Sequence, residues 1–211
     1  QFTMLKYFFS AIIACLLGVS TLPAQLTASK AFVEAPRNVI PLLDRNARLD
    51  MLDYFNSGLT NKTSNKLNGT SAITAVDPMQ VAVQMTDASI CHIALLPAQS
   101  DTLIAVISTV NTPAPDSKMT VYSSGFARDL TASAFAKPTL KEWLSDPSML
   151  STVEAMVPFL LISYSYNPDS ATLTLTNNTQ KFLSDDVYAI VEPYLKKSIV
   201  YKWTGKKFAK Q

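Results

Sequence analysis

Glycine, histidine and cysteine are scarce in this chain: its 211 residues hold five, one and two of them. Each shortage removes a class of chemistry. Five scattered glycines make no glycine-rich phosphate loop and no Gly-x-Ser-x-Gly nucleophile elbow. Any Ser–His–Asp triad would have to use the one histidine, His92. Aspartate-rich calcium loops are absent, and one Cys with one His leaves a zinc site two ligands short. No metal and no cofactor is expected. Charge is thin as well: charged residues are 16% of the chain and the formal net charge is +2. That balance implies no strong field for nucleic acid.

Long apolar runs are confined to the N-terminus. Residues 4–24 read as a signal peptide. Met4 is the initiator in this reading, after Gln1–Thr3. Lys6 supplies the positive start, Tyr7–Val19 the apolar stretch, and Ala24 a small residue at the cut. The run is too short and too poorly flanked for a membrane span, so no transmembrane span is expected after cleavage. Ile13-Ala14-Cys15 resembles a lipoprotein cleavage box, which makes lipidation at Cys15 the alternative to ordinary cleavage. Losing Lys6 from the 18 Lys and Arg leaves 17 against 16 acidic residues. Ordinary cleavage also removes Cys15, so Cys91 stands alone and no intrachain disulfide can form. Residues 25–211 are long enough to bury a core without one, as a single α+β domain with sub-halves 25–130 and 131–211.

What the chain does have is strand patterning around Ile90–Tyr122. Leu103–Val110 is apolar at nearly every position, as in a strand covered on both faces. Ile90–Leu96 precedes it and Met119–Tyr122 follows, so the three read as an antiparallel meander with Leu103–Val110 in its middle. Before them, Met79, Val81, Val83 and Met85 alternate with polar or small residues, and Ser71–Val76 is short and β-branched. Asn68-Gly69 is the strongest hairpin signal. Helical spacing runs from Leu42 to Phe55, where Asp44 and Arg48 sit four apart, as in a solvated ion pair. Ser57-Gly58 ends that helix.

The second half reads helix, hairpin, helix, hairpin. Thr139 and Glu142 form a capping box, and Ser151 with Glu154 offers a second. Phe159–Tyr166 pairs with Ala171–Thr176 across the turn at Asn167–Ser170. Ser184 caps a helix carrying Asp185 and Asp186 in its first turn. Ile199–Trp203 and Lys206–Phe208 make the last hairpin. The expected fold is α+β: an antiparallel β-sheet of meander and hairpins with helices packed on one face. Two related halves are permitted by this layout, although no residue-level repeat is present.

Several segments carry a resemblance. The run TVNTPAPDS from Thr109 to Ser117, with Val121-Tyr122 after it, is similar to a segment of a Bacteroidales secreted-protein family, domain of unknown function 3256. Ile40–Phe55 resembles its N-terminal helix. Phe159–Tyr166, Leu173–Asn178, Phe182–Ser184, Pro193–Leu195 and Tyr201–Phe208 resemble its C-terminal part. The resemblance implies a periplasmic, outer-membrane-associated or extracellular location. It brings no catalytic residues.

Candidate chemistry is sparse. Cys91 and His92 are adjacent, and neighbours on a strand point to opposite faces, so they cannot form a dyad with each other. Asp50, Asp53, Asp185 and Asp186 fit solvated helix faces and a helix start. Tyr164, Tyr166, Tyr201 and Trp203 recur at strand spacing. They would form either core beneath a helix or an aromatic platform for a ligand, glycan or partner. These four are the candidate binding residues. Lys196, Lys197, Lys202, Lys206, Lys207 and Lys210 make a basic end, suited to edge protection or to an acidic surface. Asp101–Leu103 and Asp169–Ala171 resemble short bacterial O-glycosylation motifs, and both fall at turns. The reading that follows is an exported envelope protein, a non-catalytic module binding an envelope protein or a glycan. The alternative is a hydrolase whose carboxylates, or His92, converge in a cleft.

Overall fold

The computed structural model describes residues 25–211. The expected signal peptide over residues 4–24, and Cys15 within it, lie outside those residues.

Two helices open the described chain. Helix α1 is Ala28–Glu34 and starts at Thr27, whose hydroxyl accepts Lys30 N–H. Helix α2 is Arg45–Asn56, and Asp44 caps it by accepting Ala47 N–H at 2.9 Å. Asp44 therefore serves the backbone and does not pair with Arg48. Arg48 is 4% exposed and donates from Nη1 to the Phe32 carbonyl at 2.7 Å. That carbonyl belongs to the last turn of α1, which has no partner within its own helix. The ion pair forms three residues before Arg48: Arg45 meets Glu34 at 2.6 Å, on the surface.

The first sheet has six antiparallel strands in sequence order: β1 Thr63–Ser64, β2 Thr70–Val76, β3 Gln80–Thr86, β4 Ser89–Pro97, β5 Thr102–Val110 and β6 Asp116–Tyr122. The expected meander is β4-β5-β6, with β5 in its middle. The two-residue β1 went unrecognised in the sequence. Its turn is longer than Asn68-Gly69 alone: Asn65 organises it, accepting the N–H groups of Leu67 and Gly69 and donating to Ser71 Oγ and the Met85 carbonyl. Strand β5 is covered on both faces from Ile104 to Ile107, as its composition predicts, while Ser108 and Val110 beyond them are exposed. Ile104 and Val106 pack with the α1/α2 side, while Ala105 and Ile107 face the second sheet.

The crossover carries three short helices: α3 Thr131–Ala134, α4 Leu140–Trp143 and α5 Leu150–Met156. The Thr139–Glu142 capping box opens α4. The second expected box is not used. Asp146 caps a 3-10 turn at Pro147–Met149 that runs straight into α5, so Ser151 lies inside the helix. Strands β7 Ile162–Asn167, β8 Thr172–Asn177, β9 Ser198–Trp203 and β10 Phe208–Lys210 form a second antiparallel sheet in the order β10-β9-β8-β7. Helix α6, Asp185–Val191, is capped by Ser184. The architecture is α+β with three main layers: α1 and α2, the six-stranded sheet, and the four-stranded sheet. Leu144, Val153, Val157, Val191 and Leu195 make a smaller core under α5 and α6.

Candidate functional site

The two sheets meet at a corner between β6 and β7. Ile162 N–H donates to Asp116 Oδ1 at 2.9 Å, and Tyr164 N–H donates to Ser117 Oγ at 3.0 Å. Asn178 Nδ2 adds a bond to the Pro115 carbonyl at 2.8 Å. Side chains therefore take the place of a backbone ladder where one sheet ends and the other begins. Ser117 Oγ also lies 2.8 Å from Thr109 Oγ1, so its orientation is held from both sides.

A hollow of about 450 Å³ opens beside this corner, within the size range of small-ligand clefts. Asp116, Ser117, Lys118 and Met119 all line it. Successive strand residues point to opposite faces, so four in a row can share a hollow only if it runs along the free edge of β6. Thr131, Phe135 and Lys137 form the opposite wall, with Tyr164 closing the inner end. Lys137 also lines a second hollow of about 290 Å³ with Pro138, Trp143, Glu154, Phe159 and Leu160. Lys137 lines both, and the surface on either side of it is the Lys137 groove. At its far end Phe159, 49% exposed, packs on Phe182 with ring centroids 4.8 Å apart.

The four aromatic residues named from the sequence do come together, but with their rings turned inward. Tyr164, Tyr166, Tyr201 and Trp203 are 5–8% exposed and belong to the core between the sheets. The reason is the pairing of the first sheet with the second, which covers this face. Phe135, from the crossover, sits edge-on to Tyr164, Tyr201 and Phe208. Trp203 donates its indole N–H to the Pro97 carbonyl at 2.6 Å, tying the last strands to the first sheet. Burial pushes the Tyr164 phenol up to about 12, with Asp116 and then Tyr201 adding to it. Burial alone pushes Tyr166 up to about 12. Of the four, Tyr164 reaches the groove and Tyr166 lines a separate hollow between β3 and β7.

Cys91 and His92 lie on opposite faces of β4. Cys91 is buried in the α1/α2 core, and burial pushes its thiol up to about 12, against a smaller opposing effect of the Ser108 hydroxyl. His92 is exposed, and partial desolvation lowers its pKa. It lines neither of the two hollows beside Lys137 nor the one beside Tyr166. Asp77 and Asp169 share the hollow with Tyr166, but Asp77 Oδ1 already accepts the N–H groups of Met79 and Gln80. Among the described residues no three His, Cys, Asp or Glu side chains gather as metal ligands. At the basic end, Lys196 donates to the Glu142 carbonyl at 2.9 Å, and Lys210 stands 3.6 Å from its carboxylate. Asp101 and Asp169 both lie in exposed hairpin turns.

Sequence reasoning missed Phe135 and Lys137. They fall in a stretch of no clear periodicity, and the only signal was an aromatic and a cation two residues apart before a proline.

The fold places this chain among α+β proteins of two packed antiparallel sheets. The family model described as Protein of unknown function (DUF3256) matches residues 20–208, and the chain belongs to that family. A solved structure, that of a domain of an uncharacterized protein from Porphyromonas gingivalis W83, is similar in fold. The TM-score is 0.75 at 19% identity, over 87% of this chain and 96% of that one. No curated protein matches. Among the described residues no helix is long and apolar enough to cross a membrane.

Proposed function

We propose that this chain is an exported cell-envelope protein whose work is recognition, and that it holds a segment of an envelope protein or a glycan in the groove along Lys137. The observation that carries this reading is the composition of the groove. Its walls combine aromatic and apolar side chains with the polar Ser108, Ser117 and Thr131 and with charged groups at Asp116, Lys118, Lys137 and Glu154. Such a surface fixes an occupant by shape and a few polar contacts. Neither Cys91 nor His92 lines it. The N-terminal pattern of residues 4–24 supports export, to the periplasm, the outer membrane or beyond. The protein needs no cofactor for this work.

Photo-crosslinking from position 137 in the full chain, against the cell's own envelope fraction, tests the reading. Adducts from 137 and not from the exposed Lys62 are expected. Equal labelling from both positions would remove the groove as the site. The rival is a hydrolase using Asp77 and Asp169, which share one hollow. It requires envelope-glycan or peptide cleavage that Asp77→Asn and Asp169→Asn each abolish while the fold survives.

A further inference from the structure

The upper part of the β6 edge is already paired by the chain itself. Tyr122 forms an antiparallel bridge with Asp129, Leu130 N–H donates to the Val121 carbonyl at 2.7 Å, and Val121 N–H donates to Thr131 Oγ1 at 2.9 Å. Val121 therefore turns both backbone groups away from β5. In an antiparallel ladder without a bulge the same holds at every second residue, and the β5–β6 register is unbroken from Asp116 to Tyr122. Met119 and Ser117 therefore also direct their N–H and C=O groups outward, into the hollow. Among the described residues neither backbone meets a partner there. The side chains of both are buried, so the strand edge is what they offer.

We propose that the lower edge of β6 binds an extended segment of another protein, which adds to the first sheet as a short further strand below Asp129–Thr131. An unpaired edge of this kind is a template for strand addition. The walls state the partner's chemistry. On the inner face Met119, Phe135 and Tyr164 are apolar or aromatic. On the other face lies Lys118, opposite Ser108 in the ladder, and Lys137 adds a second exposed cation to the hollow. A strand presents alternate side chains to alternate faces. The partner segment therefore alternates apolar residues, which meet Phe135 and Tyr164, with acidic residues, which meet Lys118. Asp116 offsets one of the two cations, since a carboxylate that accepts Ile162 N–H keeps its charge, and the lining stays positive by one. A glycan would leave the outward backbone groups of Ser117 and Met119 unmatched in spacing.

This inference rests on the recognition reading and is tested separately from it. The probes are an acetylated heptapeptide alternating valine and glutamate, the same peptide N-methylated on alternate amides, a valine–lysine counterpart, and an acidic oligosaccharide. In the free full-length chain the Met119 amide should exchange with deuterium faster than that of Val121. The valine–glutamate peptide should bind and slow exchange at Met119. N-methylation should weaken binding about tenfold or more, as should the double variant Lys118→Glu, Lys137→Glu, which in turn should gain affinity for the lysine peptide. Both lysines are exposed, so the variant keeps its fold, checked by circular dichroism. Equal binding of the N-methylated peptide overturns the proposal. So does an unchanged Met119 exchange rate, or no peptide binding at about 1 mM. Binding of the oligosaccharide alone also overturns it, and leaves the recognition reading standing with a glycan as its occupant.

Discussion

The hydroxyl of Ser117 accepts the backbone N–H of Tyr164 at 3.0 Å, across the corner where the first sheet ends and the second begins. Ser117→Ala leaves that buried donor without its acceptor. Loss of the bond should cost about 1–3 kcal/mol. Denaturant unfolding read by tyrosine and tryptophan fluorescence measures it. A change below about 0.3 kcal/mol would mean that the corner is held by packing alone.

Trp203 closes the other side of the sandwich through its 2.6 Å bond to the Pro97 carbonyl. Trp203→Phe removes the donor and shrinks the ring. The expected loss is about 1–3 kcal/mol. Since the bond joins residues far apart in sequence, the unfolding rate should rise more than the folding rate falls, a split that stopped-flow kinetics resolves.

Tyr166 differs from both. Its hydroxyl is buried and meets no protein partner among the described residues. Tyr166→Phe deletes an unpaired polar atom and keeps the ring against Phe208, 5.9 Å between centroids. Stability should be unchanged or should rise by up to about 1 kcal/mol in a thermal melt. A marked loss would mean that the hydroxyl has a partner in solution.

Alkaline pH should weaken the fold. Burial, the largest cause in each case, raises Cys91 from 9.0 to about 12 and Tyr164 and Tyr166 from 10.0 to about 12. Each group then loses its proton more readily in the unfolded chain than in the folded one. Their contribution is complete below the unfolded values and declines as the pH climbs from about 9 toward about 12. Melting temperatures taken across that interval should fall, and Tyr166→Phe should lessen the decline. For the same reason Cys91 should resist a thiol reagent at pH 8 in the folded chain and react at once in denaturant.

Arg48 supplies a fifth test. Its guanidinium serves the Phe32 carbonyl at 2.7 Å and the Asp44 carbonyl at 3.2 Å, and lies 6.0 Å from the centre of the Phe32 ring. Arg48→Lys keeps the charge but not the planar fork, so urea unfolding should show a loss of about 1–3 kcal/mol. Arg45→Lys, on an exposed pair, should leave the urea midpoint nearly unchanged.

Much of the fold was legible one element at a time. Leu103–Val110 announced a strand covered on both faces, because its apolar residues sit on both parities. Thr139 with Glu142, Ser184 and Gly58 marked helix boundaries through capping geometry that involves only near neighbours. The Asp44–Arg48 spacing misled, because helical distance says that two side chains are close and not which of them a second helix will cover. The aromatic spacing of Tyr164, Tyr166, Tyr201 and Trp203 was real, but the same alternation serves a core and a platform equally well.

Periodicity and capping are properties of a few consecutive residues, so the amino-acid order by itself determined all the strands but β1, the helix starts at Thr139 and Ser184, the opposite facing of Cys91 and His92, and the family likeness. Which faces are covered depends on the stacking of one sheet on the other. That stacking turned the aromatic stripe inward, and it brought Asp116–Met119, Phe135, Lys137 and Tyr164 together around one unpaired strand edge. Only the tertiary structure could decide this, because no local pattern records which distant segment will come to lie alongside.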